Sequence, residues 1–193
     1  MEVRNLVFAT SNPNKVREIN QLLGGQDVKS LKDIGCTEEV PETTNTIKGN
    51  AIQKAEYVST HYQIDCFAED TGLEVDGLNG EPGVHTAYYA GPARDANANM
   101  AKVLKGLQGQ PNRKARFRTV IALVQDGEVR TFEGVVEGQI LESPRGEGGF
   151  GYDPIFQADG YEQSFAEMEP DKKNGISHRA RAFRKLVTHL KIS

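Results

Sequence analysis

Apolar positions along the chain switch repeatedly between two periods, and the switching predicts strands and helices in turn. Leu6-Val7-Phe8-Ala9 is a short run of strand formers and reads as a buried strand. It stops at Thr10-Ser11-Asn12-Pro13-Asn14-Lys15, after which Val16, Ile19, Leu22 and Leu23 recur at helical spacing. Asn12 is the expected N-cap, Pro13 the first helical residue and Gly24-Gly25 the stop. Residues 28–31 predict a second strand, followed by an acidic loop over 33–42. Ile47, Ala51, Ala55 and Val58 mark a helix over 46–61, and residues 65–68 a further strand that closes on a turn at Glu69-Asp70-Thr71-Gly72.

The second half carries a different rhythm. Residues 73–78 alternate at period two, and Asp95 opens a helix whose stripe is Met100, Val103, Leu104 and Leu107. Residues 115–124 and 129–138 flank Asp126-Gly127, the strongest short hairpin signal in the chain. A glycine-rich loop spans 143–153, Ser164 with Glu167 fits a capping box, and a last helix runs from near Ser177 to Leu190 with Ala180, Phe183, Val187 and Leu190 inward. Alternating strands and helices followed by a long hairpin predict an α/β fold with a mixed sheet. With no internal repeat or linker, residues 1–193 read as one domain.

Composition narrows the class. The chain has 193 residues, enough for a single buried core, and no apolar run approaches the ~20 residues that a membrane span needs. The N-terminus does not read as a signal peptide. Cys36 and Cys66 form neither a disulfide framework nor a CxxC clasp. The expectation is a cytoplasmic protein that takes neither membrane nor nucleic acid. The net charge of −4 hides an asymmetry: residues 171–193 carry seven Lys/Arg and one acid, net +6, leaving −10 for the rest. A duplex-binding protein usually has a basic excess over the whole domain. A local basic segment suits a small anion, although a solvated helix face has the same appearance.

Four constellations could carry chemistry. Thr10 to Lys15 sits at a strand-to-helix turn, where backbone N–H groups, a hydroxyl and a Lys make an anion site, or simply a capped loop; it lacks the glycines of a Walker loop. Asp70, at the end of a strand, with Glu38, Glu39 and Glu42 on the earlier acidic loop, implies a hard cation such as Mg²⁺, or else a solvated acidic rim. Gly146-Glu147-Gly148-Gly149-Phe150-Gly151 matches GxGxxG literally, but Tyr152-Asp153-Pro154 follows where a dinucleotide site needs a helix. That loop could clamp a planar base with Phe150 and Tyr152, or place both rings in a core. Lys173 with Ser177-His178-Arg179 offers donors to an anion or a base edge, a weak signal by itself.

Together these segments resemble the noncanonical purine nucleoside triphosphate pyrophosphatase family, the inosine/xanthosine triphosphate pyrophosphatases also called Ham1 or RdgB-like proteins. The matching pieces are Phe8 to Lys15, Asn50-Ala51 with Lys54-Ala55, Ala68 to Leu73, Pro82-Gly83, Gly149 to Phe156, and Ser177-His178-Arg179, in the family's order. The resemblance implies an elongated mixed sheet flanked by helices, two lobes around a central cleft, and a homodimer. It implies Mg²⁺-dependent hydrolysis of ITP, dITP and XTP to the monophosphate and pyrophosphate. Thr10, Ser11, Asn12, Pro13, Asn14, Lys15 and Lys54 would bind the triphosphate. Glu42 and Asp70 would hold the metal, Asp70 also taking the proton of the attacking water, with Glu69 assisting. Thr71 would contact substrate, and Phe150, Gly151, Tyr152, Asp153, Lys173, His178 and Arg179 would frame the base.

Two departures stand out. Many bacterial members have Asp-Asp-Ser-Gly where this chain has Glu69-Asp70-Thr71-Gly72, and many have two adjacent acids where it has Pro41-Glu42, so the loop's metal role falls on Glu42, with Glu39 as the alternative. Two other classes remain in view. A Maf-like pyrophosphatase is disfavoured by the 150–153 and 177–179 segments. A nucleotide-binding regulator is disfavoured because binding alone gains little from a water-activating carboxylate.

Overall fold

The computed structural model describes residues 6–24 and 28–192; Gly25, expected to help end the first helix, lies outside them. The strands are β1 (Val7–Phe8), β2 (Lys29–Ser30), β3 (Cys66–Val75), β4 (Pro82–Gly83), β5 (Lys114–Gln125), β6 (Glu128–Ile140) and β7 (Phe156–Ala158). The helices are α1 (Pro13–Leu22), α2 (Ile47–Tyr62), α3 (Ala96–Gly106), α4 (Pro170–Ile176) and α5 (His178–Ile192). The sheet runs β2-β1-β3-β5-β6-β7, with β4 on β3. β1 pairs in parallel with β2 and β3, whereas β3–β4 and β6–β7 are antiparallel, so the sheet is mixed as predicted.

The residues divide into two compact units. Unit 1 holds the described residues up to Asp70, Thr119–Gly134, and those from Arg179 onward. Its core gathers Phe8, Ile19, Phe67, Ile121, Phe183 and Leu186, with Phe8 and Phe67 stacked at 4.6 Å. Unit 2 holds Thr71–Arg118 and Val135–His178. Its core gathers Leu73, Val103, Phe117, Phe156 and Phe165, with Phe117 edge-on to Phe156 at 4.7 Å. Burying each such side chain contributes ~1.5–3 kcal/mol before conformational entropy is subtracted.

Local chemistry accounts for most boundaries. Asn12 caps α1 with Pro13 at its first position, Thr46 caps α2 through the Gly49 N–H, and Asp95 caps α3 through the Ala98 N–H. At Asp126-Gly127 both residues have positive φ (50° and 79°), as the predicted two-residue loop demands.

The structure departs from sequence expectation in three places. β3 does not turn at Glu69–Gly72 but runs straight through, almost wholly buried. Its partners change along its length, β1 pairing at Phe67 and β4 at Leu73, so ladder bonds outweigh the poor strand propensities of Asp70 and Gly72. The expected capping-box bonds between Ser164 and Glu167 do form, in both directions, and close a turn. The helix over 170–176 and the short strands β4 and β7 were not predicted, being too short for a periodic signal. On α5, Leu186 is fully buried whereas Val187 is only partly so.

Candidate active site

Glu69 and Asp70 are neighbours on β3, and a strand points successive side chains to opposite faces. That alternation separates the two carboxylates into two clusters, both within unit 1. Asp70 meets α2. Its Oδ1 lies 3.3 Å from Lys54 Nζ and its Oδ2 accepts from Asn50 Nδ2 at 3.3 Å. Lys54 Nζ also donates to Glu42 Oε1, so one buried ammonium is shared by two carboxylates.

The loop that brings Glu42 there is laced to α2. Asn50 Oδ1 accepts from the backbone N–H and hydroxyl of Thr44, while Gln53 exchanges hydrogen bonds with Thr43. Gly49 is required at this crossing, because a Cβ there would lie 2.4 Å from Thr44 Oγ1. Burial alone would lower the Lys54 ammonium, but Asp70 and Glu42 hold it above the ordinary lysine range. Burial pushes the Asp70 carboxyl up, and Lys54 and Lys15 offset this only in part.

Glu69 faces the other way. Its carboxylate receives Arg179 Nε at 2.8 Å and Nη2 at 2.9 Å, a bidentate pair, and Lys15 Nζ at 3.1 Å. Arg179 Nη1 donates to Glu18 on α1. Burial would raise Glu69, but Arg179 and Lys15 hold it far below the usual carboxylate range. Arg179 is 2% exposed, with its fork on these acids. Expected at the base, it acts in this structure as a buried counter-ion.

The turn before α1 also differs in detail from the expected anion cradle. The backbone N–H groups of Asn14 and Lys15 both donate to Asn12 Oδ1, and that of Asn12 to Thr10 Oγ1. Anion contacts therefore fall mainly to side chains. Thr10, Ser11 and Pro13 line a surface pocket of about 600 Å³ together with Arg17 and Lys32.

Unit 2 holds the other candidates. Asp153, 3% exposed, accepts from Lys173 Nζ and from the Phe150 N–H, both at 2.7 Å. Gly149 has φ +70°, and a Cβ there would fall 2.1 Å from Asp153 Oδ2, so glycine lets the loop close on the carboxylate. Lys173 Nζ sits 5.2 Å from the Phe150 ring centre. Tyr152 is buried and donates to Thr86 O, which makes it a core residue; beside it, Gly151 is half-buried with φ +64°. The His178 ring stacks on Phe117 at 4.6 Å. Thr71 is half-buried at the first position of unit 2. A 3-10 turn over Asp153–Ile155 follows the glycine-rich loop, in agreement with the rejection of a dinucleotide site.

A family model described as the Ham1 family matches residues 6–189. The chain belongs to the Ham1 family. It is 53% identical over 186 residues to the dITP/XTP pyrophosphatase of Christiangramia forsetii, covering 96% of this chain and 98% of that one. It is 50% identical over 183 residues to the dITP/XTP pyrophosphatase of Flavobacterium johnsoniae, covering 94% and 95%. The Ham1 protein of Staphylococcus aureus aligns with a TM-score of 0.88 at 35% identity, covering 96% of this chain and 97% of that one.

Within this Ham1 chain, sequence reasoning missed Glu18 and gave Asn50 no role. Asn50 had a signal: with Lys54 it sits on the apolar stripe of α2, four residues apart and both buried. Glu18 had none, because its partner Arg179 is 161 positions away. Among the described residues no three His, Cys, Asp or Glu side chains gather as a ligand group, and no helix is long and apolar enough to cross a membrane.

Proposed function

We propose that this chain hydrolyses dITP, XTP and ITP to the monophosphate and pyrophosphate. The observation that carries the reading is the convergence of Asp70 and Glu42 on one cation position, beside a strand whose other face holds Lys15 through Glu69. Near-full-length identity of 50–53% to two dITP/XTP pyrophosphatases supports it.

The residues fit Mg²⁺. Lys54 already stands as a cation between the two carboxylates, and an all-oxygen donor pair suits a hard ion that takes its remaining ligands from water and phosphate. Glu42 and Asp70 would hold the ion, which when bound supplies positive charge to the phosphate oxygens and eases deprotonation of water. Asp70 takes the proton from the attacking water as its oxygen bonds to the α-phosphorus and the bond to the β-phosphate oxygen breaks. Lys15 and Lys54, with Thr10, Ser11 and Asn14, neutralise and orient the phosphate chain; Asn12 and Pro13 set the turn. Thr71 contacts the substrate.

In unit 2, Phe150 offers a stacking face, and Asp153 positions Lys173 and the loop. Lys173 and His178 supply donors for the six-position keto oxygen, where adenine presents an amino group instead. Family resemblance further supports a cytoplasmic homodimer that takes no nucleic acid, which light scattering and cell fractionation test.

The decisive experiment incubates the protein with dITP, XTP, ITP and ATP, with Mg²⁺ or with chelator, and measures pyrophosphate and orthophosphate separately. Pyrophosphate release from the first three, lost with chelator, is expected; orthophosphate alone overturns the reaction assigned. Equal turnover of ATP and ITP removes the base assignment. Asp70→Asn is expected to lower turnover by ~10²–10⁴-fold, the range for a lost general base, while largely retaining nucleotide binding.

A further inference from the structure

We propose that Lys54 fills the metal position of the free protein and must withdraw before a divalent cation binds, so that the cation enters together with the triphosphate. The inference rests on the reading that Glu42 and Asp70 hold the metal. It begins from geometry: Lys54 Nζ is bonded to Glu42 Oε1 and lies 3.3 Å from Asp70 Oδ1, at the point the two carboxylates share. An ammonium and a divalent ion cannot occupy that point together, since like charges at contact distance repel strongly in a buried site.

Nor can the point stay empty at little cost, because Asp70 is buried and would stand without a cation beside a second carboxylate, the more exposed Glu42. Lys54 supplies that charge from within the chain. It comes from α2 on a flexible four-carbon stem, so the ammonium can swing while its backbone stays in the helix. Asn50 donates independently to Asp70 Oδ2, which keeps the carboxylate oriented when the lysine leaves. What the lysine then needs is another anion, and a phosphate chain offers one at the moment the metal arrives. Metal and nucleotide therefore favour each other's binding, and the coupling is reciprocal.

Binding of Mn²⁺ alone, without nucleotide, tests this in the full chain by the loss of the free-ion paramagnetic resonance signal. Lys54→Met and Lys54→Gln are each expected to bind Mn²⁺ at least about tenfold more tightly than the wild type, with the gain abolished by adding Asp70→Asn. Binding in the folded single variants that equals or falls below the wild-type value overturns the proposal, as does binding that persists after Asp70→Asn. Wild-type protein gives a reading that needs no substitution. Acetic anhydride labelling of Lys54, followed by mass spectrometry, should rise as Mn²⁺ saturates the protein, and unchanged labelling with the ion bound overturns displacement. The functional reading fails separately: wild type that releases no pyrophosphate from dITP defeats it whatever the Mn²⁺ affinities are.

Discussion

Both units bury cations against acids, but they surround them differently. In unit 1 each buried cation is shared by two carboxylates: Arg179 by Glu69 and Glu18, Lys54 by Asp70 and Glu42. In unit 2, Lys173 pairs with Asp153 and lies near the rings of Phe150 and Phe165. His178 stacks there on Phe117. The difference separates two kinds of recognition. An array of alternating charges can exchange partners with phosphate and metal, whereas aromatic faces with a few pinned donors suit a flat, neutral group.

The largest test of that contrast removes each unit's cation. Arg179→Ala strips its guanidinium from the buried Glu69 and Glu18, leaving Lys15 on Glu69, and is expected to cost about 3–5 kcal/mol in urea unfolding. Arg179→Lys should recover only part, because an ammonium cannot reproduce the bidentate fork. Lys173→Met should cost less, about 1–3 kcal/mol, because Asp153 still accepts the Phe150 N–H. Equal losses would erase the distinction.

A pH effect, read over one pH unit at a time, reports on unit 1 alone, since both cysteines lie there. Burial, with the Asp65 carboxylate nearby, pushes the Cys66 thiol up to about 12. Above the ordinary thiol pKa the unfolded chain gives up this proton while the native state retains it, so the native state binds more protons and stability falls as pH rises. The contribution is full below about pH 8.5 and lost between there and pH 12, at up to ~1.4 kcal/mol per pH unit. Cys66→Ala should flatten that part of the stability–pH curve relative to wild type. Identical slopes would refute the assignment.

The smallest test compares two helix caps. Asn12→Ala in unit 1 and Asp95→Ala in unit 2 should each cost about 1 kcal/mol. Only Asn12→Ala should also raise KM for the triphosphate, because Asn12 shapes the turn that presents Lys15. A matching rise for Asp95→Ala would argue against a binding role for that turn.

Legibility in the sequence followed the range of the interaction. The cap at Asn12 and the helix start at Asp95 were readable because donor and acceptor lie within three residues, whereas Thr46, expected as the first helical residue, is the cap of α2. The loop at Asp126-Gly127 was readable for the same reason. The capping box at Ser164–Glu167 was readable too, and its two bonds close a turn. Of the candidate site, Lys15, Glu42, Lys54 and Asp70 were named from turn chemistry, charge and family resemblance. Asn50, the partner of Asp70, and Glu18, the partner of Arg179, received no role.

What the sequence determined by itself was the order of most strands and helices, the caps, the two-residue loop and the residue types available for chemistry. Each depends on contacts a few residues apart, or on periodicity that burial imposes along one element. Only the tertiary structure decided that β3 runs through Glu69–Gly72, since its ladder partners are distant in sequence. The straight strand then sends Glu69 to Arg179 and Lys15, and Asp70 to Lys54. Two adjacent acids thereby acquire opposite shifts, Glu69 held ionised by surrounding cations and Asp70 raised by burial. Proton affinity depends on what surrounds a group in space, and in this chain that environment is assembled from residues as far apart as Glu18 and Arg179.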